Sequence, residues 1–275
     1  MIEFLELRIN YKYAHLLFTE NEGKNQGTTV KIIVLKKEDP RYSKVPIISK
    51  ELKLKINQPF FFGWRIKRKY SKKELDNAPL LHFKIKSVFG PTGEECGTKY
   101  DFESACEYCG ANVKQISSLI LKKGSIPKKD ISITFGGEII VSQQFINASK
   151  KWNLKGLNFL TTNIENYFQL TSEIELNLSA NTKTGINPFD FSDRSEGEIY
   201  KCPKNHTLGL NLLSEPHVLN DQSIEKFDFF KSKQLIGVKR GLLNPEPIFF
   251  CSQKLRKMIV EEKLNGFDFE ITIIE

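Results

Sequence analysis

The chain has 275 residues with 40% hydrophobic and 11% aromatic content, enough apolar material for a real core, which excludes global disorder. No apolar run approaches the length of about 20 residues that a bilayer-spanning helix needs. A net charge of +8 favours nucleic acid, an anionic surface or an acidic protein as partner.

The segment Met1–Leu7 carries acids early and has neither a basic stretch nor a small-residue cleavage site. A secretory signal is therefore not expected. Residues 1 to about 90 read mostly as strand, with no strong long helix. Thr28–Leu35 is rich in β-branched residues, and Leu81, Phe83 and Ile85 alternate with His82, Lys84 and Lys86 as in a half-buried strand. The densest basic run, Arg65 to Lys73, lacks the regular aromatic interleaving of a single-strand-binding surface and reads as a solvated stretch.

Beyond Gly90-Pro91-Thr92-Gly93 comes Cys106-Glu107-Tyr108-Cys109-Gly110, a C-x2-C-G knuckle. Two thiolates at that spacing can bind one zinc, and the glycine permits the tight turn beneath them. Ile131, Ile133 and Phe135, the turn Gly136-Gly137, and Ile139-Ile140-Val141 predict a hairpin. A polar break from Asn181 to Glu198 separates two halves, and Cys202-Pro203-Lys204-Asn205-His206 follows as a C-x3-H pair. The expected domains are a strand-rich region over 1–90, a first unit over 91–180 and a second over 181–275.

Placing Val141-Ser142-Gln143 over Cys251-Ser252-Gln253 aligns two stretches without a gap: Leu154 with Leu264, Gly156 with Gly266, Phe159 with Phe269, Thr162 with Thr272 and Ile164 with Ile274. Each stretch predicts a strand, a helix capped by Ser142 or Ser252, a glycine placed as a left-handed C-terminal cap, and a second strand. Phe145, Ala148 and Trp152 form the apolar face of the first helix; Leu255, Met258 and Ile259 form that of the second. The predicted fold class is thus α+β: a strand-rich N-terminal region, then two related helix-plus-strand units joined by a zinc-ribbon-like clasp.

Combining the knuckle with the C-x3-H pair gives a closed Cys3His set of Cys106, Cys109, Cys202 and His206, a structural site for one zinc per chain. Cys96 is an alternative ligand in place of Cys202 or His206. A redox pair at Cys106 and Cys109 lacks the thioredoxin-like βαβ context, and plain buried thiols are the remaining alternative. Cys251 occupies the place of Val141 and reads as core filling, while His15, His82 and His217 have no ligand-spaced partners.

Catalytic motifs are missing from the sequence. Gly23-Lys24-Asn25-Gln26-Gly27-Thr28 matches a phosphate-binding loop only in composition and reads as a flexible turn. Asp190, Asp193, Glu196 and Glu198 cluster without the spacing of a calcium loop. No catalytic residue is assigned, and an enzyme is not expected. Five cysteines, an odd and scattered set, point to a cytoplasmic chain rather than a disulfide scaffold.

Carried by Cys106-x2-Cys109-Gly110, Cys202-x3-His206 and the Ser…Leu-x-Gly-x-x-Phe stretches at 142–159 and 252–269, the sequence resembles bacterial double-CXXCG motif proteins and related immunity-type proteins of polymorphic-toxin loci. The likeness covers residues 96 to 275. It departs from the pattern at the second pair, which is Cys-x3-His without a following glycine. The resemblance implies a non-enzymatic protein that binds and neutralises a cognate toxin protein. A zinc-ribbon nucleic-acid binder is the alternative expectation, and no membrane partner is expected.

Overall fold

The structure is a computed structural model that describes residues 1–189 and 200–275. The acids Asp190, Asp193, Glu196 and Glu198 lie outside the described residues. The chain is mixed α+β and strand-rich, and it divides into two compact units. One comprises residues 1–74 with the segment from Asn187; the other begins at Leu75 and holds the rest. The boundary expected near residue 90 falls at 74–75, because the strand Leu80–Ile85 is hydrogen-bonded inside the second unit. The segments expected as separate domains over 91–180 and 181–275 belong together there.

The first unit is an antiparallel sheet in the order Lys24–Gln26, Val30–Lys36, Ile2–Asn10, Phe61–Lys69. Alternation buries Leu5, Leu7 and Ile9 on one face together with Ile33 and Leu35. Lys31 is buried in the same row, and its ammonium donates to the carbonyls of Thr19 at 3.0 Å and Glu20 at 2.6 Å. The segment Gly23–Thr28, expected as a flexible turn, includes a paired edge strand, Lys24–Gln26.

The basic run is only partly solvated. Its strand pairs with Ile2–Ile9, which sets Arg68 Nε 2.9 Å from Glu3 and Lys67 Nζ 2.5 Å from Glu6. The Arg68 side chain is only 4% exposed. The region also contains a helix that the strand reading lacks: α1, Lys44–Ile56. Pro46 is tolerated in its first turn, where backbone N–H groups have no intrahelical acceptor, and left-handed Asn57 (φ 51°) ends it. Only Val45 of α1 is buried, so helical apolar spacing is weak, and Leu52, Leu54 and Ile56 alternate as in a strand. A short helix, α2 (Lys72–Asn77), follows.

Among its described residues, the second unit contains two larger sheets and two short two-stranded ones, Tyr100–Asp101 with Lys114–Gln115 and Thr184–Gly185 with Asn211–Leu212. The five-stranded one runs Asn158–Thr161, Tyr167–Thr171, Ile139–Ser142, Ile131–Thr134, Val88–Phe89. The larger runs Glu175–Leu176, Phe229–Ile236, Glu246–Cys251, Leu80–Ile85, Phe267–Ile274, His217–Val218, with Thr207–Gly209 beside Phe229–Ile236. Four strands of each correspond in order and register. Val141 faces Ile131 and Phe168; Cys251 faces Phe229 and Leu81. Phe159 faces Leu170 as Phe269 faces Phe83. One connection differs: Tyr167–Thr171 follows its neighbour as a hairpin, whereas Leu80–Ile85 comes from much earlier in the chain.

Two helices, α3 (Gln143–Lys151) and α4 (Gln253–Glu261), follow the corresponding strands. Ser142 and Ser252 cap them, each hydroxyl accepting from the N–H three residues on at 3.2 Å. Phe145, Ala148, Leu255, Met258 and Ile259 join residues of both larger sheets, including Val141 and Cys251, in one buried cluster. Cys251 is therefore core filling, as its alignment with Val141 implied.

The two glycines do other work than capping. The left-handed residues that end the helices are Asn153 (φ 49°) and Lys263 (φ 54°). Gly156 and Gly266 lie three residues later, where the two halves touch backbone to backbone. A Cβ on Gly156 would stand 2.6 Å from the Phe229 carbonyl oxygen, and one on Gly266 2.1 Å from that of Ile131. Two buried carboxylates complete this exchange. Asp130 accepts from Ser142 Oγ at 3.0 Å and from the Asn265 N–H at 2.9 Å. Asp228 accepts from Ser252 Oγ at 2.6 Å and from the Lys155 N–H at 2.9 Å. Each aspartate thus holds its own helix cap and the opposite half's glycine turn.

Candidate metal centre

Cys106, Cys109, Cys202 and His206 meet in the second unit, with ligand-type atoms all within 4.8 Å of one another. The Cys106 and Cys202 sulfurs are 3.8 Å apart; His206 Nδ1 is 3.9 Å from Cys109 Sγ and 3.8 Å from Cys202 Sγ. A tetrahedral zinc with bonds of about 2.3 Å to sulfur sets its sulfurs about 3.8 Å apart. The three thiols are buried and His206 is half-buried. The donor set therefore fits a metal ion in a closed, four-ligand site.

Local hydrogen bonds shape both halves. The Cys106 N–H donates to the Ala111 carbonyl at 2.7 Å and the Gly110 N–H to the Cys106 carbonyl at 2.8 Å. Gly110 has a left-handed φ of 76°, and a Cβ there would press on Lys239 at 2.7 Å. Across the site the Cys202 N–H donates to the Thr207 carbonyl at 3.2 Å, closing a loop of the same length. Asn205 supplies the left-handed residue (φ 59°), a role asparagine fills readily, so no glycine is needed after the second pair.

The halves are fastened to different sheets. Lys114–Gln115, just after the first knuckle, is tied to the five-stranded sheet by reciprocal amide bonds between Gln115 and Gln169, at 3.0 and 2.8 Å. The second is tied to the larger sheet, where the Leu235 N–H donates to the His206 carbonyl at 2.8 Å and the Leu235 side chain packs on the thiol cluster. At the rim, Lys204 pairs with Glu107 at 3.2 Å.

Burial raises the Cys106 thiol's pKa, but the N–H groups of Cys109 and Tyr108, together with His206 and Cys202, outweigh it and bring it down to about 6. Burial, with neighbouring sulfur charge, pushes Cys109 up to about 12. One thiolate forms readily and a second is opposed, a balance that a divalent cation reverses.

Cys96 is half-buried and outside this group, so it replaces neither Cys202 nor His206. His82 lies in a strand and His217 pairs with Glu275 at 2.6 Å. His15 is exposed in a 3-10 turn.

Beside the site lies a cleft of about 730 Å³ that sequence reasoning did not anticipate, lined by Tyr100, Gly137, His206, Lys231 and Glu246 among others. Burial, reinforced by the charge of Glu138, pushes the Glu246 carboxyl up to about 7. Glu138 itself is buried and accepts from Tyr100, Thr134 and the Gly93 N–H. Nothing in the linear spacing of Tyr100, Glu138 and Glu246 announces this grouping, because two strand starts and a hairpin turn far apart in sequence bring them together.

No family model matches the chain, and a search of curated proteins finds no match. Among the described residues, no helix is long and apolar enough to cross a membrane.

Proposed function

We propose that the chain is a non-enzymatic binding protein of the immunity type, which neutralises a cognate bacterial toxin by direct protein–protein contact. In this reading one structural zinc per chain, held by Cys106, Cys109, Cys202 and His206, acts as a ribbon-like clasp. The observation that carries it is the closed donor set: four buried or half-buried ligands leave no position for water or substrate, so the metal would hold the scaffold and take no part in a reaction.

Two further observations support the reading. Corresponding registers, serine caps, glycine contacts and aspartate clamps favour descent of the two helix-plus-strand units from one duplicated ancestor, in line with the ungapped internal alignment of 141–164 with 251–274. A rigid frame of this kind suits inhibition, which needs a preformed surface. Free thiols beside a thiolate-rich metal set also favour a reducing, cytoplasmic setting.

The test is co-expression. The neighbouring reading frame is induced in a bacterial host with and without this chain. Restored growth with a co-purifying complex is the expected result. Toxicity without rescue or binding contradicts the proposal, and steep salt-dependent binding to DNA or RNA would then assign a nucleic-acid partner instead.

A further inference from the structure

A groove of about 820 Å³ runs along α3 and the strand Asn158–Thr161, lined by Gln143, Ile146, Lys150, Phe159, Leu160 and Phe168 among others. The strand ends its sheet, and among the described residues it pairs along Asn158–Thr161 with Tyr167–Thr171 alone, a bridge from Leu119 to Thr162 lying just beyond it. Leu160 is 48% exposed. The edge thus offers backbone groups and apolar surface together.

The corresponding place on α4 is covered by the chain itself. Gln253 stands where Gln143 does, and its amide donates to the carbonyls of Leu75 at 2.6 Å and Ala78 at 2.7 Å. Arg256, in the place of Ile146, donates to Asp76 at 2.7 Å. Leu75 packs against the core, and Ala78 is buried in it. On α3 the Gln143 amide turns to Asn147 of its own helix, at 2.9 Å, and Lys150 provides a cation one turn beyond Ile146.

We propose that the α3 groove is the docking site for a short segment of a partner protein with the chemistry of Leu75–Ala78: an apolar side chain, an adjacent carboxylate and two carbonyls presented to Gln143. This rests on the reading of the chain as a protein-binding protein and names the surface it uses. The apolar residue enters between Ile146 and Phe159, the acid meets Lys150, and the Gln143 amide leaves Asn147 to clamp the incoming backbone. The site on α4 stays filled, because its own segment is tethered at high effective concentration.

The probe is a synthetic peptide with the sequence of residues 73–79, titrated into the isotope-labelled full chain by NMR. Saturable shifts over the amides of α3 and Asn158–Thr161 are expected. A Leu75→Ala peptide should lose them, and Gln143→Ala in the chain should weaken binding about fivefold, the worth of one net hydrogen bond. Absence of saturable shifts at millimolar peptide, or shifts confined to α4, would overturn the proposal. No toxin enters this test, so failure falls on the groove alone. A rescuing toxin whose bound footprint leaves α3 unprotected would likewise overturn the groove and leave the immunity reading intact.

Discussion

At the residue scale, the second unit is governed by a few side chains at backbone crossings. Gly266 faces the Ile131 carbonyl oxygen so closely that alanine has no room, and its φ of 111° is one that L side chains rarely adopt. Gly266→Ala should therefore cost about 3 kcal/mol or more, read as a lower urea midpoint at unchanged m-value. Asp228→Ala strips the partner from Ser252 and from the Lys155 N–H and should cost about 2–4 kcal/mol in the same measurement. Glu246 makes a pH prediction. Its folded pKa lies at about 7 against an ordinary value of 4.5, so the folded state holds more protons between those limits. Stability should accordingly fall as pH rises from about 4.5 to 7, by a term of order 3 kcal/mol. Glu246→Gln should abolish that decline in pH-dependent denaturation curves; an unchanged slope would show the group to be solvated.

At the scale of elements, α3, α4 and the strands that flank them follow directly from sequence, because each carries a serine cap and an apolar stripe that ends up buried. The four side chains of the candidate metal centre are legible for a similar reason: short spacings fix two donors locally, and only the joining of the two pairs is long-range. Other features were not legible. The match between Asp130-Ile131 and Asp228-Phe229 is displaced from the ungapped alignment by the longer hairpin after Ile236, so the clamping aspartates escaped notice. Leu80–Ile85 was recognised as a strand but not as the internal strand of a sheet completed by residues 246–274, since pairing partners that distant leave no local trace. α1 was missed because its packing asks little of its sequence. As an element-level check, Gln115→Ala should loosen the first knuckle from its sheet and speed metal loss to a chelator, with little change in far-UV circular dichroism.

At the scale of the molecule, one apolar cluster draws on the two larger sheets and on α3 and α4 of the second unit, so its corresponding halves should not unfold separately. Hydrogen exchange at rising denaturant should open Ile139–Ser142 and Glu246–Cys251 together; exchange of one well before the other would contradict a shared core. A metal ion held by Cys106, Cys109, Cys202 and His206 would add a second tie between those sheets, linking positions about a hundred residues apart in sequence. The most direct test of the account is the metal content of the purified chain, measured by mass spectrometry beside its thermal melt. The account predicts about one zinc per chain, lost in Cys106→Ser or Cys202→Ser and on chelation, each with a marked fall in melting temperature. Metal-free protein that melts at the same temperature with and without added zinc would contradict it.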